Sequence, residues 1–205
     1  MSEALASVLT GVRYVSVPEW FAVALALAYL GFAIRMSRLC WWFAVASAGL
    51  YTALMYDAGL YMESALQVFY MVLAIYGWYQ WQTSAAGRPV RRVADWPLVF
   101  HLPGCAAIAV LAVLSGAVLE RFTDAAFPYA DSFTTWGALL ATWMTARKVL
   151  QSWHYWFFID AVSVYLYWQR ELFLTAVLFM LYLVLIVVGY RAWRSALPPA
   201  LRLAQ

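Results

Sequence analysis

From Val17 onward the chain alternates long apolar stretches with short polar interruptions. Stretches of roughly 18 or more apolar residues are long enough to cross the hydrocarbon of a bilayer as α-helices. The pattern predicts seven helices, at about Val17–Ile34, Cys40–Tyr56, Tyr61–Trp81, Pro97–Leu119, Phe127–Ala146, Val149–Trp168 and Leu172–Tyr190. The expected class is an all-α integral membrane protein with seven transmembrane helices and no soluble domain left over.

The third interruption, QTSAAGRPVRRVAD, is polar, carries Gly87 and Pro89, and is the one stretch that reads as a linker. It divides three spans from a fourth, which is followed by three more, so an internal repeat is expected. A shift of 112 residues aligns Tyr70 with Tyr182, Val72 with Val184, Leu73 with Leu185, Gly77 with Gly189 and Trp81 with Trp193. A shift of 114 places Trp42 on Trp156 and Tyr51 on Tyr165. With an odd connecting span, both three-helix units cross in the same direction, which is the parallel-repeat plan of small transporters with a site at the repeat interface. The expected boundaries are repeat one at about 17–82, a linker helix at about 97–119 and repeat two at about 127–192.

Composition supports the membrane reading. Of 205 residues, 66% are hydrophobic and 11% charged, far from the quarter or so of charged residues in a soluble domain. The net charge of +3 comes from short clusters between spans and is no nucleic-acid footprint. Ten basic residues (Arg35, Arg38, Arg88, Arg91, Arg92, Arg147, Lys148, Arg191, Arg194 and Arg202) fall on one side, against Arg13, Arg121 and Arg170 on the other. Basic loops stay in the cytoplasm, so the N-terminus is expected outside and the C-terminus inside. Asp57, Glu63, Glu120, Asp124 and Glu171 collect on the outer side. The N-terminal stretch lacks the basic start, apolar core and cleavage site of a removable signal. Cys40 and Cys105 lie far apart with no metal-type spacing.

Within this apolar background the exceptions carry the information. In the stretch KVLQSWHYWFFID, Asp160 falls about ten residues into the sixth span, roughly 15 Å along a helix and near the bilayer middle. A charge there costs at least about 2.5–3.5 kcal/mol unless it meets water, a partner or a ligand. Trp153, Trp156 and Asp160 share one helix face within roughly 60°. Two indoles and a carboxylate in line suit a flat cation; the bland alternatives are interhelical hydrogen bonding for the acid and packing or an interface belt for the rings.

Gln67 is the amide deep in the third span, with Tyr70 a turn further on the same face, and it requires protein, water or substrate as partner. Tyr76, Trp78, Tyr79 and Trp81, in YGWYQW, read as an aromatic belt, with Gly77 permitting a close helix approach. Asp131, Thr134 and Thr135 open the fifth span, and the threonines can bond their own backbone. His154 points away from the tryptophan face, and Arg147 and Lys148 read as orienting charges. No serine–histidine–acid set, HExxH, P-loop or glycine fingerprint occurs, so nothing argues for an enzyme. No cofactor or metal is expected.

The stretches LQVFYMVLAIYGWYQW and FPYADSFTTWGALLATWMTARKVLQSWHYWFFIDAVSVYLY, with the closing Gly189–Trp193 stretch GYRAW, resemble the PnuC family of bacterial vitamin transporters from about Val17 to Arg194. The resemblance implies a fold related to the SWEET transporters, two parallel three-helix repeats joined by a linker helix. It implies facilitated uptake of nicotinamide riboside, a cationic precursor of NAD, across the bacterial inner membrane by alternating access. By position it implies Trp153, Trp156 and Asp160 as binding residues and matches Gln67 and the YGWYQW aromatics to a strongly patterned third span; with Tyr70 and Thr135 from the spans' own polar positions, the candidate set is Gln67, Tyr70, Trp78, Thr135, Trp153, Trp156 and Asp160. Some members carry asparagine at the Asp160 position and some carry thiamine, so another cationic vitamin is the first alternative. A vitamin-binding subunit of an ATP-driven importer and a membrane-embedded enzyme are the others. Partners are the bilayer and the substrate, with a homo-oligomer, a trimer, as a further expectation.

Overall fold

The computed structural model describes residues 17–57, 61–82, 92–170 and 172–198. Among them are seven α-helices: α1 (Val17–Ile34), α2 (Leu39–Asp57), α3 (Tyr61–Gln80), α4 (Leu102–Phe122), α5 (Pro128–Ala146), α6 (Ser152–Gln169) and α7 (Phe173–Ser195). Residues 83–91 of the stretch read as a linker, with Gly87, Arg88, Pro89 and Arg91, lie outside the described residues, as do Arg13, Glu171 and Arg202.

Five helices begin within one residue of the expected positions. Two start later, for local reasons. Residue 96 precedes Pro97 and is biased to extended backbone, and a 3₁₀ turn at Leu98–Phe100 comes before α4, whose Pro103 occupies the first turn. The sixth helix starts at Ser152 rather than Val149. Val149 makes a parallel bridge with Ala94, and the Ala94 N–H donates to Lys148 O at 2.9 Å while the Leu150 N–H donates to Ala94 O at 2.8 Å.

Large apolar side chains face outward along the spans. Val110, Val113, Leu114 and Val118 on α4, and Val184, Val187 and Val188 on α7, are exposed. A soluble monomer rarely leaves contiguous apolar faces of this extent; lipid covers them. Residues Leu98–Phe122 and Phe173–Ser195 are long and apolar enough to cross a membrane on length and composition alone. The other spans mix tryptophan, tyrosine, serine and threonine into their apolar runs.

The chain forms two compact bodies. The described part of the first comprises residues 17–57, 61–82, 92–94, 142–150 and 188–198. Here α2 packs against α1 and α3, with Phe32 and Phe43 stacked at 5.1 Å. Gly77 is buried where the Trp41 ring lies flush on α3, so that a Cβ at this position would enter the ring. Trp41, Trp81 and Trp193 are all buried, with Trp81 5.3 Å from Trp41 and 5.8 Å from Trp193 between ring centroids.

The indoles of Trp81 and Trp193 close two helix ends. The Trp81 Nε1–H donates to Ala146 O, in the last turn of α5, and the Trp193 Nε1–H donates to Ala33 O, in the last turn of α1, both at 3.0 Å. Carbonyls in a last helical turn lack the regular intrahelical partner; the Trp81 indole supplies one to Ala146 O, and the Trp193 indole adds a second donor to Ala33 O, which also accepts from the Met36 N–H. The two helix ends share a backbone turn as well. Met36 (φ 53°) and Lys148 (φ 52°) both adopt left-handed backbone. Met36 N–H donates to Ala33 O and Lys148 N–H to Thr145 O, each at 2.9 Å. One residue on, Ser37 N–H donates to Phe32 O at 2.9 Å and Val149 N–H to Met144 O at 3.0 Å. These are paired Schellman closures, made here by non-glycine residues.

Two expectations are corrected here. Trp81 is no interface belt residue; it is a buried core ring with a satisfied indole. Lys148 is more than an orienting charge: it is buried, with its Nζ 4.8 Å from the centroid of the Trp81 ring. A desolvated ammonium over an indole face is a favourable cation–π contact.

The described part of the second body comprises residues 95–141 and 151–187. Gly116 of α4 admits the Tyr129 ring, and the Trp136 Nε1–H donates to Ser115 Oγ at 3.1 Å, so α4 and α5 lie close. Tyr155 Oη of α6 meets His101 Nδ1 at 3.2 Å and Cys105 Sγ at 3.3 Å on α4. Ile159 packs on Gly137 of α5, and Tyr167 on Phe179 of α7 with centroids 5.1 Å apart. The Gln151 side chain accepts from the Trp96 N–H at 3.1 Å and donates to Asp95. Both cysteines are free thiols, Cys40 buried and Cys105 exposed.

Candidate functional site

The site is built on α6. Tyr155 meets α4 and Ile159 meets α5, while on the neighbouring side Trp153 and Asp160 are buried and Trp156 is half-buried. Those three recur at spacings of three and four, so a 3.6-residue helix lines them up. The later helix start does not displace Asp160: it is the ninth of the eighteen residues Ser152–Gln169, and so sits at the middle of the span.

Asp160 is buried, with 5% of its surface exposed, and its carboxylate makes no hydrogen bond or ion pair among the described residues. Among the described residues, no hydrogen bond or ion pair ties the acid to a neighbouring helix. An ionised carboxylate at that depth is costly unless it meets water, a partner or a ligand. Trp153, about two turns toward the N-terminal end of α6, is buried, whereas Trp156 is half-buried.

The same spacing continues toward the C-terminal end of α6 to Ser163 and Tyr167, which the sequence reading passed over. Ser163 is buried, and the Tyr167 phenol is within electrostatic range of Asp160 and of Asp131 at the start of α5. The signal for both was present in the i, i+3, i+7 continuation from Asp160. Thr135 of α5 is half-buried, and its neighbour Thr134 bonds back to Asp131 O at 2.9 Å. His154 is exposed and off the tryptophan face. Among the described residues, no three histidine, cysteine or acidic side chains gather as a metal site.

The remaining candidates belong to α3 in the first body. Gln67, Tyr70, Ala74, Gly77 and Trp81 form its inward stripe, while Val68, Phe69, Val72, Ile75 and Tyr79 face outward. Gln67 is half-buried and its amide makes no hydrogen bond to any described residue. Trp78 is half-buried with its ring edge to Trp42 at 5.7 Å.

Residues 16–195 match the family described as nicotinamide mononucleotide transporters. Among curated relatives, the chain is 26% identical over 132 residues to the riboflavin/roseoflavin transporter RibM of Streptomyces davaonensis, covering 62% of this chain and 61% of that one. It is 21% identical over 178 residues to the nicotinamide riboside transporter PnuC of Escherichia coli strain K12, covering 75% of this chain and 74% of that one. The match thus spans less than two thirds of the riboflavin transporter's length. The fold is similar to the crystal structure of a vitamin B3 transporter PnuC, with a TM-score of 0.66 and 20% identity over 94% of this chain and 89% of that one. With all but the ends of the chain inside the family match, this multi-pass, all-helical membrane protein belongs to the nicotinamide mononucleotide transporter family, a family of transporters and not of enzymes.

Proposed function

We propose that the protein mediates uptake of nicotinamide riboside across the bacterial inner membrane by facilitated diffusion, supplying NAD synthesis. The observation that carries this reading is Asp160: a carboxylate at the midpoint of a membrane helix, buried, and without a hydrogen bond or ion pair to any described residue. The pyridinium of nicotinamide riboside is flat and positively charged. It stacks on Trp156, and Asp160 neutralises it; that combination is attractive in a site from which water is largely excluded. Gln67, Tyr70, Trp78, Thr135 and Trp153 are proposed as further contacts. The kinship with PnuC of Escherichia coli supports the substrate.

Alternating access is the proposed cycle, with the N-terminus periplasmic and the C-terminus cytoplasmic. The repeats proposed at about 17–82 and 127–192 are supported by the recurrence, 112 residues apart, of the left-handed turns at Met36 and Lys148 and of the Trp81 and Trp193 bonds to opposite helix ends. Uniport is proposed because Asp160 is the one buried carboxylate among the described residues, and a proton relay needs several ionisable groups at depth. The dephosphorylated nucleoside is preferred over its mononucleotide, because Lys148 is the one buried cation among the described residues and a phosphate calls for several donors.

The kinship with RibM supports a second reading, transport of a flat, neutral heteroaromatic such as riboflavin. That ligand would use the indoles and leave Asp160 idle. Calorimetric titration of the purified protein with nicotinamide riboside, its mononucleotide, riboflavin and thiamine separates the readings. Tightest binding of the riboside is expected; tightest binding of riboflavin would overturn the first reading in favour of the second.

A further inference from the structure

We propose that Ser163 is a specificity residue that recognises the sugar of the substrate, an inference that rests on the placement of the cationic ring at Trp156 and Asp160. Ser163 is on the same face of α6, one turn beyond Asp160, and is buried with 7% of its surface exposed. A serine or threonine inside a helix ordinarily satisfies its hydroxyl on its own backbone one turn back. The protein does this at Thr52, which donates to Ala48 O at 2.7 Å, at Ser115, to Leu111 O at 2.6 Å, and at Thr123, to Leu119 O at 2.6 Å. Ser163 makes no such bond, and none to any other described residue. The Ser163 hydroxyl is therefore an uncommitted donor and acceptor on an otherwise buried residue, placed to bond a ligand lying along this face of α6.

The order of groups along the helix identifies that ligand. From Trp156 to Asp160 is about 6 Å of rise and from Asp160 to Ser163 about 4.5 Å. The face therefore presents an aromatic ring, then a negative charge, then a hydroxyl, over about 10 Å. In a cationic N-riboside the same sequence appears in the ligand: flat ring, quaternary nitrogen, then sugar hydroxyls. With the ring on Trp156 and the nitrogen beside Asp160, the ribose extends outward to Ser163. A small cation lacking the sugar satisfies Trp156 and Asp160 but leaves Ser163 unpaired, and discrimination of that kind is large when a buried polar group is left behind.

The test compares nicotinamide riboside with 1-methylnicotinamide, which has the same charged ring and no sugar, by calorimetry on the full-length protein in nanodiscs. Ser163→Ala is expected to weaken the riboside about tenfold, the loss of one hydrogen bond, and to leave 1-methylnicotinamide within about twofold. Ser163→Thr, which keeps the hydroxyl, is expected to bind the riboside within about threefold of wild type, and Asp160→Asn to weaken both ligands. If Asp160→Asn weakens both ligands but Ser163→Ala weakens neither, or weakens both alike, the assignment of Ser163 fails alone. If Asp160→Asn weakens neither, the underlying placement of the cation fails with it.

Discussion

Replacing Asp160 by leucine should make the empty transporter more stable and its substrate binding worse. The carboxylate is buried and makes no hydrogen bond or ion pair among the described residues, so its removal breaks no bond. What is removed is the penalty of an ionised group at mid-membrane, about 2.5–3.5 kcal/mol on insertion scales, with leucine adding a small gain. For a chain of this size, each kcal/mol moves the melting temperature by about 2–4 °C. The full penalty applies only to a group wholly out of water, so a rise of roughly 3–8 °C is the expected result. In binding, two unit charges about 4 Å apart attract by about 4 kcal/mol at an effective dielectric of 20. After desolvation, about 2–4 kcal/mol remains, a loss of roughly thirty- to a thousandfold in affinity. The assay pairs thermal unfolding of detergent-solubilised, substrate-free protein with a riboside titration of the same preparation. A variant that melts several degrees lower while binding the riboside as tightly as wild type would show that Asp160 is a structural acid. Opposite movement of stability and function is otherwise the expected signature of a binding group.

Other consequences are read at other positions. Trp81→Phe and Trp193→Phe each lose one buried indole bond and should destabilise by similar amounts, about 1 kcal/mol or somewhat more, whereas Trp81→Ala also opens a cavity and should lose about 3–5 kcal/mol in thermal unfolding. Gly77→Ala drives a methyl into the Trp41 ring and should lower stability by about 1–3 kcal/mol. Gly49→Ala meets only Met71 Sδ at 3.8 Å and should be neutral or stabilising. Trp156→Ala should weaken riboside binding tenfold or more, with a far smaller effect from Trp81→Phe, as measured by calorimetry; equal effects would place the ring elsewhere.

The helices were legible in the sequence because lipid imposes a length on every span, and α1 at Val17–Ile34 begins and ends where the pattern put it. The start of α6 was not, since what holds Val149 out of the helix is Ala94, more than fifty residues away. Asp160 was legible because one charge in a long apolar run has few explanations. Trp81 was misread for the opposite reason. Tyrosines and tryptophans crowd the end of α3, and a belt and a core ring look alike until Ala146 O and the Lys148 ammonium are found beside the indole. Ser163 was overlooked although it continues the Trp153, Trp156, Asp160 spacing, because a helical serine is normally self-satisfied.

The most direct measurement compares nicotinamide riboside with its reduced dihydro form, which keeps the sugar and carboxamide but has no ring charge. With the cation held by Asp160, wild-type protein should bind the charged form at least thirtyfold more tightly, a difference of about 2 kcal/mol, and Asp160→Asn should bind both forms nearly equally. Equal affinity of the wild-type protein for the two forms would contradict it.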